Sequence, residues 1–227
     1  MMRVSDNLIV LPPADQVTAA PGCVVGALRA AGATVLIDAG LERNAATILR
    51  TLDQLGWPGP PKILFLTHAH GDHASGAVGL HRRHGIRILS HPGVVAILAA
   101  APAQETDDPW TLASCPVEPI ADGQRFTFGE ATITAYSTPG HTADGVAYLV
   151  EVDGVRCVFS GDLVMSNMEP GWRGDPKFSI EDTVRSLERL MPLGAERMFT
   201  GHSAIEGNPA EFLAKTIAAG RSGAWSK

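Results

Sequence analysis

Three of the chain's eight histidines fall within six residues, in His68-Ala69-His70-Gly71-Asp72-His73. In an extended backbone, residues two apart point the same way, so His68 and His70 present both imidazoles to one side. Gly71 then permits a sharp turn that makes Asp72 and His73 adjacent donors. Imidazole and carboxylate together suit zinc, with iron or manganese as alternatives. One histidine cluster can arise by chance, but the same device recurs three more times. Thr138-Pro139-Gly140-His141, Phe159-Ser160-Gly161-Asp162 and Phe199-Thr200-Gly201-His202 each read as a strand end, a glycine turn and one ligand-type side chain.

Short β-branched runs bounded by Gly and Pro must position these groups. Leu8–Leu11, Cys23–Leu28, Thr34–Ile37 and Lys62–Leu66 read as strands. The last is almost wholly apolar, as a strand buried on both faces would be, and it leads straight into Thr67 and His68. Arg43–Leu55 has helical composition, with apolar Ile48, Leu49, Leu52 and Leu55. Ala77–His84 and Val94–Ala100 are expected helices flanking a strand at Ile86–Ser90. Ala101–Pro119, with four prolines, Trp110 and four acidic residues, reads as an exposed connection. Arg125–Phe128, Ala131–Tyr136, Val146–Val152 and Val155–Phe159 form an expected meander. Ile180–Leu190 follows as a helix capped by Ser179, with Glu181 and Asp182 in its first turn. Arg197–Thr200 is a last strand and Ala210–Ala219 a last helix. Strands followed by helix, strand and helix occur twice, roughly over 1–105 and 115–227. The expectation is one domain over 1–227, built as a four-layer αββα sandwich of two similar halves.

Composition narrows the functional classes. The 227 residues are 45% hydrophobic, enough for a sizeable core and against disorder. No charge-free apolar run approaches the ~20 residues of a membrane span. Eighteen basic against 24 acidic residues give a net charge of −6. With no basic cluster beyond Arg82-Arg83, nucleic acid is not an expected partner. The N-terminus has no secretory pattern, and three widely spaced cysteines suit a reducing cytosol, so a cytoplasmic location is expected. Cys157 reads as packing within an apolar strand.

The ordered set His68-x-His70-x-Asp72-His73, then His141, Asp162 and His202, resembles the metallo-β-lactamase-fold hydrolases. The resemblance runs from Asp38-Ala39-Gly40 to His202. It implies the αββα sandwich with a metal site at the sheet edges. His68, His70 and His141 would hold a first metal; Asp72, His73 and His202 a second, with Asp162 bridging and Asp38 supporting the ligand loop from behind. It implies two zinc ions, with Fe2+ or Mn2+ as alternatives. Zinc lowers the pKa of bound water to about 7, and two metals ~3.5–4 Å apart can share the hydroxide that attacks the substrate. Asp72 would add a catalytic role, taking up a proton and returning it as the intermediate collapses.

Departures within that family select a branch. One secreted β-lactamase subclass has cysteine where Asp162 stands here. Glyoxalase II-like thioesterases share this ligand set, and the larger ones add a glutathione-binding C-terminal region that the 25 residues after His202 would not supply. Lactonase-like relatives share all seven ligands, although the usual Pro-Gly after His-Thr is here Ala143-Asp144-Gly145. The expected function is hydrolysis of a small ester, thioester or lactone. The alternatives are β-lactamase or phosphodiesterase chemistry, a mononuclear iron persulfide dioxygenase-like oxidoreductase, and a non-catalytic binding domain. Around the site, Met165–Phe178 could form a substrate wall, with Trp172 in it and Arg173 or Lys177 pairing a substrate carboxylate. Trp110 could close from the other side and His91 could reach the cleft. His81 and His84, beside Arg82 and Arg83, read as a solvated helix face.

Overall fold

The computed structural model of the protein describes residues 1–13, 22–100 and 115–226. Seven strands, β1 (Met2–Arg3), β2 (Leu8–Leu11), β3 (Val25–Ala30), β4 (Ala33–Ile37), β5 (Ile63–Phe65), β6 (Arg87–Ser90) and β7 (Val117–Pro119), form one sheet in sequence order. The second sheet has the order β12-β11-β10-β9-β8, from β8 (Arg125–Phe128), β9 (Ala131–Ser137), β10 (Val146–Val152), β11 (Val155–Phe159) and β12 (Arg197–Phe199). Strands β4 to β7 run parallel, as do β11 and β12, while hairpins make the remaining pairs antiparallel. Helices α1 (Ala46–Gln54), α2 (Gly71–His84) and α3 (Pro92–Ala100) belong to the first half, and α4 (Ile180–Leu190) and α5 (Pro209–Arg221) to the second.

Alternation along the strands builds the layers. Val35 and Ile37 of β4 face the second sheet, meeting Phe65, Tyr148, Val150, Phe159 and Phe199 in the central core. Leu36 points the other way, into a core with Ile48 and Leu52 of α1 and Ala77, Val78 and Leu80 of α2. In the second sheet Leu149 and Val158 face outward onto Val184 and Leu187 of α4 and Leu213 and Ile217 of α5. The result is the αββα sandwich the pattern of elements implied.

Two expectations change. Helix α2 opens at Gly71 instead of Ala77, so Asp72 and His73 sit in a first helical turn and not on a glycine turn. His70, extended at φ −62°, is the residue from which the helix starts. The stretch read as a connection to Pro119 ends in strand β7, which pairs with β6 in the first sheet. Trp110, in that stretch, lies outside the described residues. The Ser179 cap is present, its Oγ accepting from the Asp182 N–H at 3.1 Å.

The two sheets are bonded together at one rim. Tyr148, fully buried on β10, donates its hydroxyl to Leu66 O at 2.7 Å. Val146 N–H donates to Thr67 O at 2.8 Å, and Val24 N–H to Gly201 O at 2.6 Å. Leu66 and Thr67 immediately precede His68, so these bonds hold the histidine segment from across the sandwich. Replacing Tyr148 by Phe removes one buried donor while Ser90 Oγ still serves Leu66 O. The expected loss is about 1 kcal/mol, a fall of about 2–4 °C in Tm for a chain of this size. A thermal melt that matches the wild type would deny the bond any net contribution.

Candidate metal centre

Five strand ends or helix starts deliver seven side chains to that rim. His68 and His70 lie after β5, Asp72 and His73 in the first turn of α2, and His141 after β9. Asp162 lies in a 3-10 turn after β11 (Gly161–Leu163), and His202 after β12. They meet as two groups, His68–His70–His141 and Asp72–His73–Asp162–His202, with the donor atoms of each group within 4.8 Å of one another. His70 Nδ1 and His141 Nε2 are 3.0 Å apart. Nitrogens bound to one tetrahedral zinc at 2.0–2.1 Å would be separated by about 3.3 Å. Asp162 joins the groups: Oδ1 is 3.3 Å from His73 Nε2, and Oδ2 is 3.4 Å from His202 Nε2 and 3.8 Å from His141 Nε2. Asp72 Oδ2 is 3.4 Å from His202 Nε2 and 3.7 Å from His73 Nε2.

Behind the donors, Asp38 sets the tautomers. Its Oδ2 faces His73 Nδ1 at 2.8 Å, and it accepts from the Thr67 hydroxyl at 2.8 Å, while Oδ1 accepts from the Thr67 N–H at 2.8 Å. A carboxylate can only accept, so His73 carries its proton on Nδ1 and turns Nε2 toward Asp162. With its own proton given to Asp38, Thr67 Oγ accepts from His68 Nδ1 at 3.0 Å. His68 Nε2 is then an open lone pair. His68 Nε2, His73 Nε2 and Asp162 Oδ1 are buried without a hydrogen-bond partner among the described residues. Polar atoms are rarely left so, and never cheaply. This donor set fits divalent metal ions bound by imidazole and carboxylate.

The electrostatics agree. Burial, reinforced by neighbouring imidazoles, holds His68 well below the ordinary histidine range, and burial also lowers His141. Both are neutral ligands at neutral pH. Burial opposes charge on His73 too, but Cys23, Asp38 and Asp162 outweigh it and raise that group. The hydrogen bond to Asp162 raises His202. Burial works against the Asp162 carboxylate, yet His202 and His73 hold it far below the carboxylate range.

Some neighbours are not legible from sequence. Thr67 works as a hydroxyl relay, and only its place before His68 hints at it. Cys23 lies beside His73 and Asp38; burial pushes its thiol up to about 11, which makes it packing and no nucleophile. Gly201 is where it is because any Cβ there would overlap Asp162 Oδ1.

Residues expected around the cleft divide. The Trp172 ring, 66% exposed, lies 5.9 Å from the His70 ring. The Arg173 guanidinium donates to Trp225 O and approaches Glu169, tying the loop to the C-terminal segment. Lys177 and His91 line a neighbouring cavity, and His91 Nδ1 accepts from the Gly93 N–H at the start of α3. His81 is bonded to Ile86 O, apart from the centre.

The profile of the metallo-beta-lactamase superfamily matches residues 20–202. A hydroxyacylglutathione hydrolase of Brucella anthropi is 30% identical over 177 residues, which cover 77% of this chain and 58% of that protein. That of Brucella ovis is 29% identical over 177 residues, 77% and 59% of the two chains. The match thus spans less than two thirds of these relatives' length. Among solved structures, a metallo-beta-lactamase family protein of Thermus thermophilus superposes with a TM-score of 0.74 at 21% identity, over 97% of this chain and 81% of that one. A mutant metallo-beta-lactamase of Cronobacter sakazakii gives 0.75 at 19%, over 99% and 96%. At such identities these two likenesses speak for the fold.

Asp38→Asn tests the supporting shell without touching a metal donor. The His73 ring loses the charged acceptor that fixes it, and metal affinity is expected to fall about 10–100-fold. Competition against a chromophoric chelator measures this, and unchanged affinity would show that Asp38 does not orient His73.

Proposed function

The chain belongs to the metallo-beta-lactamase superfamily, and from that we propose that it is a hydrolase of small thioesters, esters or lactones working with two divalent metals, zinc first among them. The observation that carries this reading is the pair of donor groups, His68–His70–His141 and Asp72–His73–Asp162–His202, sharing Asp162 at their junction. Two such ions would bring the pKa of a water near 7 and polarise the scissile carbonyl.

The chain's own residues do the rest. Asp162 offers one oxygen toward His73 and the other toward His141 and His202, the arrangement a bridging carboxylate needs. Asp72, its side chain 35% exposed, is the more open of the two carboxylates and can hold a proton and return it to the leaving group. Trp172 supplies an apolar surface beside His70 for the substrate's carbon chain. Among the ester classes, thioesters come first because hydroxyacylglutathione hydrolases are about 30% identical to this chain. The wide spacing of the three cysteines in the sequence is what suggests a reducing compartment such as the cytoplasm. No helix among the described residues is long and apolar enough to cross a membrane.

Elemental analysis of protein purified without added metal is the test, paired with turnover of a hydroxyacylglutathione thioester and of a lactone. The expected result is close to two zinc ions per chain and oxygen-independent hydrolysis. In Asp162→Ala, metal content should drop and turnover fall by about 100-fold together. One iron per chain with oxygen uptake would replace this reading by an oxygenase, and no metal after reconstitution would overturn the ligand assignment.

A further inference from the structure

A cavity of about 560 Å³ opens at Ala143 and Asp144, two and three residues after His141 in the same turn. Gly93, Ala96 and Ala143 give it apolar walls, and Asp144, Asp175 and Lys177 its charge. Asp144 is only 5% exposed, and its Oδ2 is buried without a hydrogen-bond partner among the described residues. The chain makes room for it: a Cβ on Gly93 would come within 2.9 Å of Asp144 Cβ. Lys177 makes no ion pair with Asp144 among the described residues; its own N–H is bonded to Asp175 Oδ1 at 2.7 Å.

A buried carboxylate with no partner is among the costliest features a fold can keep, and it is tolerated when something else completes it. Two carboxylates, Asp144 and Asp175, stand against one lysine and against His91, whose Nδ1 accepts the Gly93 N–H and so carries no proton there, which leaves this cavity net negative. A single buried carboxylate is too few ligands for a metal ion, but it suits a group that brings both positive charge and N–H donors. We propose that this cavity is a subsite for a primary ammonium group of the substrate and that Asp144 is the residue that holds it. The substrate class becomes a thioester or ester carrying an amine at the end of its acyl or leaving chain, with its carbonyl at the His141 side. The neutral counterpart, an amide at the same place, would offer an N–H but leave the carboxylate's charge uncompensated.

The inference rests on the hydrolase reading only for the position of the reacting end. S-Acetyl-6-mercaptohexylamine and its N-acetyl derivative, which differ in that charge, are compared on the zinc-loaded protein. KM for the amine is expected to be about tenfold lower, the worth of one charge-assisted hydrogen bond, with kcat little changed. In Asp144→Asn the difference should vanish through the amine's KM alone. Equal KM values in the wild type overturn the proposal whether or not D144N folds, and so does a preference that D144N retains. If neither compound is hydrolysed, the hydrolase reading is what has failed. Calorimetric binding of the S-methyl thioethers of the same two compounds then decides: tighter binding of the amine, lost in D144N, supports the subsite, and equal binding overturns it.

Discussion

The carboxylate of Asp38 is the point on which the site depends. It sits at the end of β4 with φ +58°, a conformation that Asp tolerates better than most side chains. From there it receives the Thr67 N–H, the Thr67 hydroxyl and the His73 ring. Its own N–H donates to Phe65 O, while Ala39 N–H donates to His73 O and Gly76 N–H to Gly40 O. A three-residue turn is thereby fastened to the end of β5 and to the first two turns of α2. Because a charged acceptor in a dry setting fixes which nitrogen bears each proton, one buried carboxylate decides that His68 and His73 both expose Nε2. The lone pairs that a metal would meet are thus set by a proton inventory made one layer below them.

The second constraint is that ligands from two sheets converge to within a few ångströms. The central core is apolar and non-directional, and could not by itself set such a register. Backbone and hydroxyl bonds at the rim do so: Tyr148 to Leu66, Val146 to Thr67, Val24 to Gly201 and Gly201 to Gly161. Each lies within two residues of a donor or of the turn carrying one. Glycine recurs there because the backbone itself must approach the carboxylate, as at Gly201 against Asp162. Apolar packing supplies the stability, and the few directional bonds supply the precision that a metal site requires.

Much of this is legible in the sequence, for identifiable reasons. Strand alternation, the glycine punctuation and the Ser179 cap are local signals, and each of the four strand-end motifs contributes to the cluster. The start of α2 escapes a local reading because Gly71, Asp72, Gly76 and Gly79 are poor helix formers. Those at 76 and 79 serve tertiary contact instead: a Cβ on Gly76 or Gly79 would overlap the backbone of Ala39 or Arg43. Strand β7 is hidden by its prolines, since edge position tolerates what a central strand would not. Thr67, Cys23 and the partnering of Arg173 with Trp225 depend on segments far apart in the chain, and no periodicity encodes them.

The metal donors alone would make this a general-purpose centre, because seven ligands of these types suit many acyl and phosphoryl transfers. Selectivity has to come from the walls, where a pocket that must satisfy a buried polar group discriminates far better than apolar fit does. The loop after Asp162 is held from behind. Arg173 donates to Trp225 O and Trp225 Nε1 to Met168 O, so the C-terminal segment staples the loop at two points while Trp172 is left projecting beside His70. A wall held in advance loses little entropy when a substrate arrives. The same loop continues through Asp175, Pro176 and Lys177 into the lining of the Asp144 cavity. An exposed indole and a buried carboxylate attached to one loop would together suit a ligand with a carbon chain and a cationic end, the class proposed above.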